Sequence, residues 1–171
     1  MTICIAILSD THGVLDTRVA ELVRRCDWAV HAGDIGNATV LQQLQPRKGR
    51  VVAIAGNNDV ADKWPQEDGG ILAGLPQYAE LELPGGRLAL DHGDRALPVK
   101  DRHRILRRRY PGVRAVVYGH SHRLCIDHDA EPWVLNPGAA GRARTYGGPS
   151  CLLLRAACGD WKVESRRYPP L

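Results

Sequence analysis

The 171-residue sequence contains no Phe and a single Met, and aromatic residues make up only 5% of it. Its interior must therefore be filled by Leu, Val, Ile and the four Trp. It has no C-x-x-C pair. Cys4, Cys26, Cys125, Cys151 and Cys158 are scattered and odd in number. That argues against a disulfide framework and suits a reducing, cytoplasmic setting. Cys4 and Cys151 lie in apolar runs and read as small buried hydrophobes. No apolar stretch approaches the roughly 20 residues of a spanning helix. The opening MTICIAIL lacks the basic region and cleavage-like site of a signal peptide. A protein with no membrane association is expected. Charge of one sign is not in large excess either. A formal net charge of +4 helps attract an anionic ligand without implying nucleic acid. With no internal repeat and no long linker, residues 1–171 are expected to form a single domain.

What is present is an alternation. ICIAIL (3–8) is a continuous apolar run, the mark of a strand buried on both faces. Leu15, Val19, Leu22, Val23 and Cys26 then fall at helical spacing. WAVHAG (28–33) is a second strand, ATVLQQLQ (38–45) a short helix closed by Pro46, and RVVAIAG (50–56) a third strand. This βαβαβ order predicts a parallel sheet with helices packed on it. Residues 77–93 read as a hairpin around Pro-Gly-Gly, and 99–110 as a basic helix stopped before Pro111. Further strands are expected at 115–119, 124–129, 132–136, 151–156 and 161–168. The pieces suit two packed sheets with helices outside them.

The polar residues sit in a pattern. Asp10 and His12 follow the first apolar run, Asp34 the second, and Asn57, Asn58 and Asp59 the third. His92 follows GRLALD, His120 and His122 follow AVVYG, and Asn136 ends WVLN. Ligand crevices of open α/β sheets lie at the carboxyl ends of their strands. Carboxylates, a carboxamide and imidazoles without thiolate suit Mn, Fe, Co, Ni or Zn and argue against Cu(I) or an iron–sulfur cluster. Seven such groups are too many for one tetrahedral site. They fit two metals sharing a carboxylate, an arrangement used for in-line attack at phosphorus.

SDTHG (9–13), HAGD (31–34), GNND (56–59), DHGD (91–94), GHSH (119–122) and NPG (136–138) together resemble the calcineurin-like metallophosphoesterase superfamily. Within it the pattern is most similar to the small YfcE-type phosphodiesterases, whose relatives include Vps29. The resemblance implies an α/β fold, a four-layer αββα sandwich of two mixed β-sheets flanked by helices. It also implies a binuclear centre. Asp10, His12 and His122 would hold one divalent metal, Asn57, His92 and His120 the other, with Asp34 bridging them. Mn²⁺ is the expected ion, with Ni²⁺, Fe²⁺, Co²⁺ and Zn²⁺ as alternatives. The implied reaction is hydrolysis of a small phosphodiester by hydroxide held between the metals. A non-catalytic interaction module of the Vps29 type, or a nuclease, are the alternatives. The expected partner is a small phosphoester. Nucleic acid is not expected, and a homo-oligomer is compatible with the sequence.

Two departures bear on the chemistry. Asn58 stands where many members carry a His that helps protonate the leaving group. A neutral Asn can donate a hydrogen bond but is a poor proton source, which predicts a preference for diesters or good leaving groups. With Asp34, Asn58 is the candidate catalytic residue. Asp94 replaces a second His and receives no role. Elsewhere, His31 reads either as orienting Asp34 or as a satisfied core histidine. Asp59 reads as supporting a ligand imidazole or as a turn residue. Asn136 reads as a loop anchor. His103 and His128 are expected at the surface, and Arg142 and Arg144 read either as surface residues or as bidentate contacts to a substrate phosphate. The run Arg102, Arg104, Arg107, Arg108 and Arg109 is expected to be a solvated helix face, since no aromatic residues are interleaved to stack bases.

Overall fold

The structure, a computed structural model, describes residues 1–170. The apolar run near the start forms β1 (Thr2–Leu8) and is used on both faces. Ile3, Ile5 and Ile7 enter a core shared with a second sheet, while Ala6 and Leu8 pack under helices. Next come α1 (Thr17–Val23), β2 (Trp28–His31), α2 (Ala38–Gln43) and β3 (Arg50–Ala53). β1, β2 and β3 are parallel and end level, with Leu8 beside His31 and His31 beside Ala53. The helix expected from Val14 begins at Thr17, where the Asp16 carboxylate caps it by accepting from the Arg18 N–H.

The sheet is only half parallel. β9 (Ser150–Ala157) and β10 (Trp161–Arg167) are joined by three residues, and so short a link permits only an antiparallel return. They extend the sheet beyond β1, giving the order β10-β9-β1-β2-β3. The second sheet holds β4 (Tyr78–Leu83), β5 (Gly86–Asp91), β6 (Ala115–Val117), β7 (Cys125–Asp127) and β8 (Trp133–Asn136) in the order β4-β5-β6-β8-β7. Its parallel strands β5, β6 and β8 also end level, at Leu90, Val117 and Leu135.

Three apolar layers hold the pieces together. The central one lies between the sheets and includes Ile5, Ile7, Leu88, Leu90, Leu135, Leu152 and Leu154. A second seats α1 and α2 on the first sheet through Val19, Val23 and Val40. The third seats α4 (Arg102–Arg109) on the second sheet, with Leu106 and Tyr110 against Ala89, Val116 and Val134. The result is two mixed sheets flanked by helices. Leu106 is fully buried, so Leu106→Ala would cost about 2–5 kcal/mol.

Residues 60–75 form 3₁₀ turns at Ala61–Lys63 and Gln66–Asp68 and the short α3 (Gly69–Ala73), with Trp64 buried beneath. Two expectations need correction. The basic helix α4 is a solvated face only in part. Arg104, Arg108 and Arg109 are exposed, but Arg102 is only 5% exposed, Arg107 pairs with Asp127 at 2.6 Å and Arg109 also pairs with Asp91 at 2.7 Å. His103 is not simply exposed: its ring nitrogens lie 2.6 Å from Asp127 and 3.0 Å from the Tyr118 hydroxyl. Cys151 is buried as expected, whereas Cys4 is half-buried with its sulfur 3.6 Å from that of Cys26. Among the described residues, no helix is long and apolar enough to cross a membrane.

Candidate metal centre

Because the parallel strands of each sheet end level, the residues after them emerge along one rim. The turns there need unusual backbone. Seven non-glycine residues have positive φ among those described, and five are Asp10, His12, Asp34, His120 and His122. Each such residue costs roughly 1–3 kcal/mol and persists only where the surroundings enforce it. The other two are Arg144 and Tyr146. Two kinds of glycine make the rim possible. Gly33, at φ +93°, supplies a turn that a side chain would strain. Gly119 supplies room instead, since a Cβ there would meet Ser9 Oγ at 1.9 Å.

The candidate ligands converge. His12 Nε2 lies 3.1 Å from His122 Nε2 and 3.7 Å from Asp34 Oδ2. His122 Nε2 is 3.4 Å from Asp10 Oδ1. On the other side, His92 Nε2 is 3.4 Å from Asp34 Oδ1 and 3.0 Å from Asn57 Oδ1, and His120 Nδ1 is 2.9 Å from the same Asn57 oxygen. Two groupings have donor atoms close enough to share an ion: Asp10 with His12 and His122, and Asp10 with Asp34 and His92. Asp10 thus stands between the groupings as centrally as Asp34 does.

Neighbouring backbone sets which nitrogens are free. His92 Nδ1 faces the Ala32 carbonyl at 2.8 Å and His122 Nδ1 the Ala143 carbonyl at 3.1 Å. A carbonyl only accepts, so each Nδ1 carries the hydrogen and, in the neutral ring, Nε2 turns a lone pair inward. Burial lowers the proton affinity of His12, His120 and His122, the last to about 4. These three rings are neutral at pH 7, the form that binds metal. Burial pulls His92 down too, but the Asp34 carboxylate beside it prevails and lifts it to about 9. For Asp34 burial acts upward, yet His92 and the donors of Asn58 outweigh it and hold the carboxyl well below the usual range.

Asp10 is the exception. It is fully buried, its Oδ1 accepts from the His120 N–H, and its Oδ2 has no hydrogen-bond partner. Burial pushes its carboxyl up to about 7. A buried, unpaired carboxylate oxygen is costly. Facing three imidazoles and a second carboxylate, it fits a divalent cation, and so does this donor set of oxygen and nitrogen.

Supporting residues complete the rim. Asn58 donates to both oxygens of Asp34, from its backbone N–H at 2.8 Å and from Nδ2 at 2.7 Å, while its Oδ1 accepts from Lys63. Asp59 touches no imidazole. It accepts from the N–H groups of Ile35, Gly36 and Gly56 and from Trp64 Nε1, tying the Asp34 loop to the Asn57 loop. His31 does not reach Asp34 either; its Nε2 lies 3.0 Å from the Thr11 hydroxyl, between Asp10 and His12 in the chain. Asn136 donates to the Gly119 carbonyl and to Ser121 Oγ, anchoring the turn that carries His120 and His122. His128 is exposed beside Trp133, and Arg142 is exposed. Asp94 lines a hollow of about 240 Å³ with His92, Gln77, Tyr78 and Arg95. A second hollow of about 160 Å³ opens on His12, Asp34, Asn58 and Lys63. Arg144 is exposed, as expected, and also reaches His12 and His122.

The calcineurin-like phosphoesterase superfamily domain matches residues 3–158. A protein named as a probable metallophosphoesterase of Methanocaldococcus jannaschii is 30% identical over 176 residues, which span 98% of this chain and 82% of that one. Vacuolar Protein Sorting 29 from Cryptosporidium parvum superimposes with a TM-score of 0.75 at 19% identity, over 98% of each chain. A structure described as a novel archaeal phosphodiesterase gives a TM-score of 0.68 at 20% identity, over 96% of this chain and 100% of that one. At such identities these structures share the fold with this chain, and no more than the fold is carried across.

Proposed function

Since this chain belongs to the calcineurin-like phosphoesterase superfamily, a family of metal-dependent hydrolases, we propose that it is a phosphodiesterase working with two divalent cations. Asp10, His12 and His122 would hold one cation, Asn57, His92 and His120 the other, and Asp34 would be shared. Manganese is the ion proposed from the resemblance; the donor set itself suits Mn, Fe, Co, Ni or Zn. Such a pair, when bound, supplies Lewis-acid charge at the phosphoryl oxygens and lowers the pKa of a water.

The chain's own residues do the rest. Asn58 fixes both oxygens of Asp34, so that carboxylate stays in one orientation. The carbonyls of Ala32 and Ala143 hold the rings of His92 and His122 in single tautomers. Asn58 has no proton to give at neutral pH, which favours esters whose leaving group departs without one. A diester bearing an aryl group meets that condition.

One observation carries the reading: side chains from four strand ends meet around Asp10, whose buried Oδ2 has no hydrogen-bond partner. The test is turnover of an aryl phosphodiester by metal-stripped protein supplied with Mn²⁺, alongside an aryl monoester and single-stranded DNA. Hydrolysis of the diester well above the monoester is expected. Metal binding without turnover of any ester would make the protein an interaction module, and degradation of DNA would make it a nuclease.

A further inference from the structure

Arg144 sits in an unusual position for an arginine. Its Nη2 lies 3.2 Å from His122 Nε2 and 3.4 Å from His12 Nε2, the two nitrogens that are themselves 3.1 Å apart. Arginine is always charged and has only donors, so it points at the lone pair of His122 Nε2 and lies against His12 Nε2. Those are nitrogens the candidate metal site offers. Among the described residues Arg144 makes no ion pair with a carboxylate, in contrast to Arg107 and Arg109. Its backbone adopts φ +51°, in the company of five candidate ligands. The preceding residue, Ala143, supplies the carbonyl that sets the His122 tautomer. One short segment therefore both orients a ligand ring and places a cation against it.

We propose that Arg144 fills the His12–His122 side of the site as a stand-in cation when metal is absent, and reads the phosphoryl oxygens of the substrate once metal is present. The second half rests on the phosphodiesterase reading above; the first half does not. A divalent ion that takes both imidazole lone pairs removes both of Arg144's acceptors and repels its charge. The side chain belongs to an exposed residue with no carboxylate to retain it, so it moves outward. Its fork of donors then lies at the rim of the centre, where an anionic phosphoryl group enters, and guanidinium binds such oxygens two at a time.

The test uses calorimetric titration of the metal-free protein with Mn²⁺, then of the Mn²⁺-loaded protein with inorganic phosphate. Arg144→Ala is expected to tighten Mn²⁺ binding by about 3- to 10-fold, because a competing cation is gone. It should weaken phosphate binding by about 10- to 100-fold. Arg144→Lys keeps a charge without the fork. It should leave Mn²⁺ affinity near wild type and still lose part of the phosphate affinity, and it carries the test if the alanine variant does not fold. Arg142→Ala should change neither constant. Unchanged or weaker Mn²⁺ binding in Arg144→Ala, or unchanged phosphate binding, overturns the assignment. If both shifts appear while no ester is turned over, the phosphodiesterase reading fails and takes the substrate half with it, and Arg144 stands as a stand-in cation that also binds phosphate.

Discussion

Two pairs of carboxylates differ in how completely they are partnered. Asp91 and Asp127 are complete. Asp91 accepts from the Gly93 N–H, from Arg109 and from the Tyr110 hydroxyl, and Asp127 accepts from His103 and Arg107. Each oxygen has a donor, so these residues brace α4 against the second sheet. Asp10 and Asp34 are crowded against each other and against imidazoles, and Asp10 Oδ2 has nothing. Ordinary folding pairs its buried charges; Asp34 has the donors of Asn58, but Asp10 keeps an oxygen that nothing in the chain partners. The strained residues follow the same division: Asp10 and Asp34 have left-handed backbone, and Asp91 and Asp127 do not.

The largest expected effect separates the groups by function. Asp34→Ala removes the carboxylate that both sides of the centre approach. Turnover of an aryl phosphodiester should fall by at least about 100-fold, the upper range already seen when mere supporting partners of a metal are lost. Asp127→Asn should leave turnover within about threefold, because Asp127 braces α4 and touches none of the candidate ligands. Equal losses in the two variants would erase the distinction.

Stability should change with opposite sign. In metal-free protein at pH 8, Asp10→Asn removes a buried charge that burial has raised to about 7. The variant should gain about 2–4 kcal/mol against unfolding by urea. Asp91→Asn breaks a satisfied set of donors and should lose about 1–3 kcal/mol. Destabilisation by both substitutions would mean that Asp10 is an ordinary structural carboxylate.

The same residue gives a pH signature. A carboxyl raised in the folded state contributes stability that is present below its unfolded value, near 4, and lost as pH rises through about 7. His92, raised to about 9, behaves likewise, its contribution being lost between about 6.5 and 9. Metal-free protein should therefore melt lower at pH 8.5 than at pH 6. Bound metal requires both groups deprotonated, so the rise in Tm on adding Mn²⁺ should grow over that interval. A melting shift independent of pH would contradict the proton balance assigned to Asp10 and His92.

How much of this was readable beforehand depends on the kind of contact. The candidate ligand positions were legible because each follows an apolar run, and parallel strands deliver such residues to one edge whatever their separation in sequence. The parallel part of the first sheet followed from the same alternation, and the sandwich of two mixed sheets from the resemblance. The supporting contacts were not legible. Arg144 meets His12 across 132 positions, through a loop whose path no periodicity encodes. The arginines of α4 read as solvated because their partners Asp91 and Asp127 lie on β5 and β7, at places fixed by the order β4-β5-β6-β8-β7. Asp59 read as a support for an imidazole or as a turn residue. It does close a turn on Gly56, and it also accepts from Ile35, Gly36 and Trp64, a clamp that becomes visible only once β2 and β3 are known to end side by side.

Asn58 offers the finest cut, because it belongs to both kinds of residue. It stands at the centre, yet its donors are already spent on Asp34 and its acceptor on Lys63. Asn58→His would exchange an orienting group for a proton source. The rate on alkyl phosphodiesters should then rise by about 10-fold relative to aryl ones, within the range of general acid catalysis. Asn58→Ala should instead lower both rates together, by about 10-fold, since loosening Asp34 does not depend on the leaving group. The ratio of the two rates therefore distinguishes proton supply from orientation. If that ratio stays constant in the histidine variant, leaving-group departure does not limit the reaction, and the preference for good leaving groups has another origin.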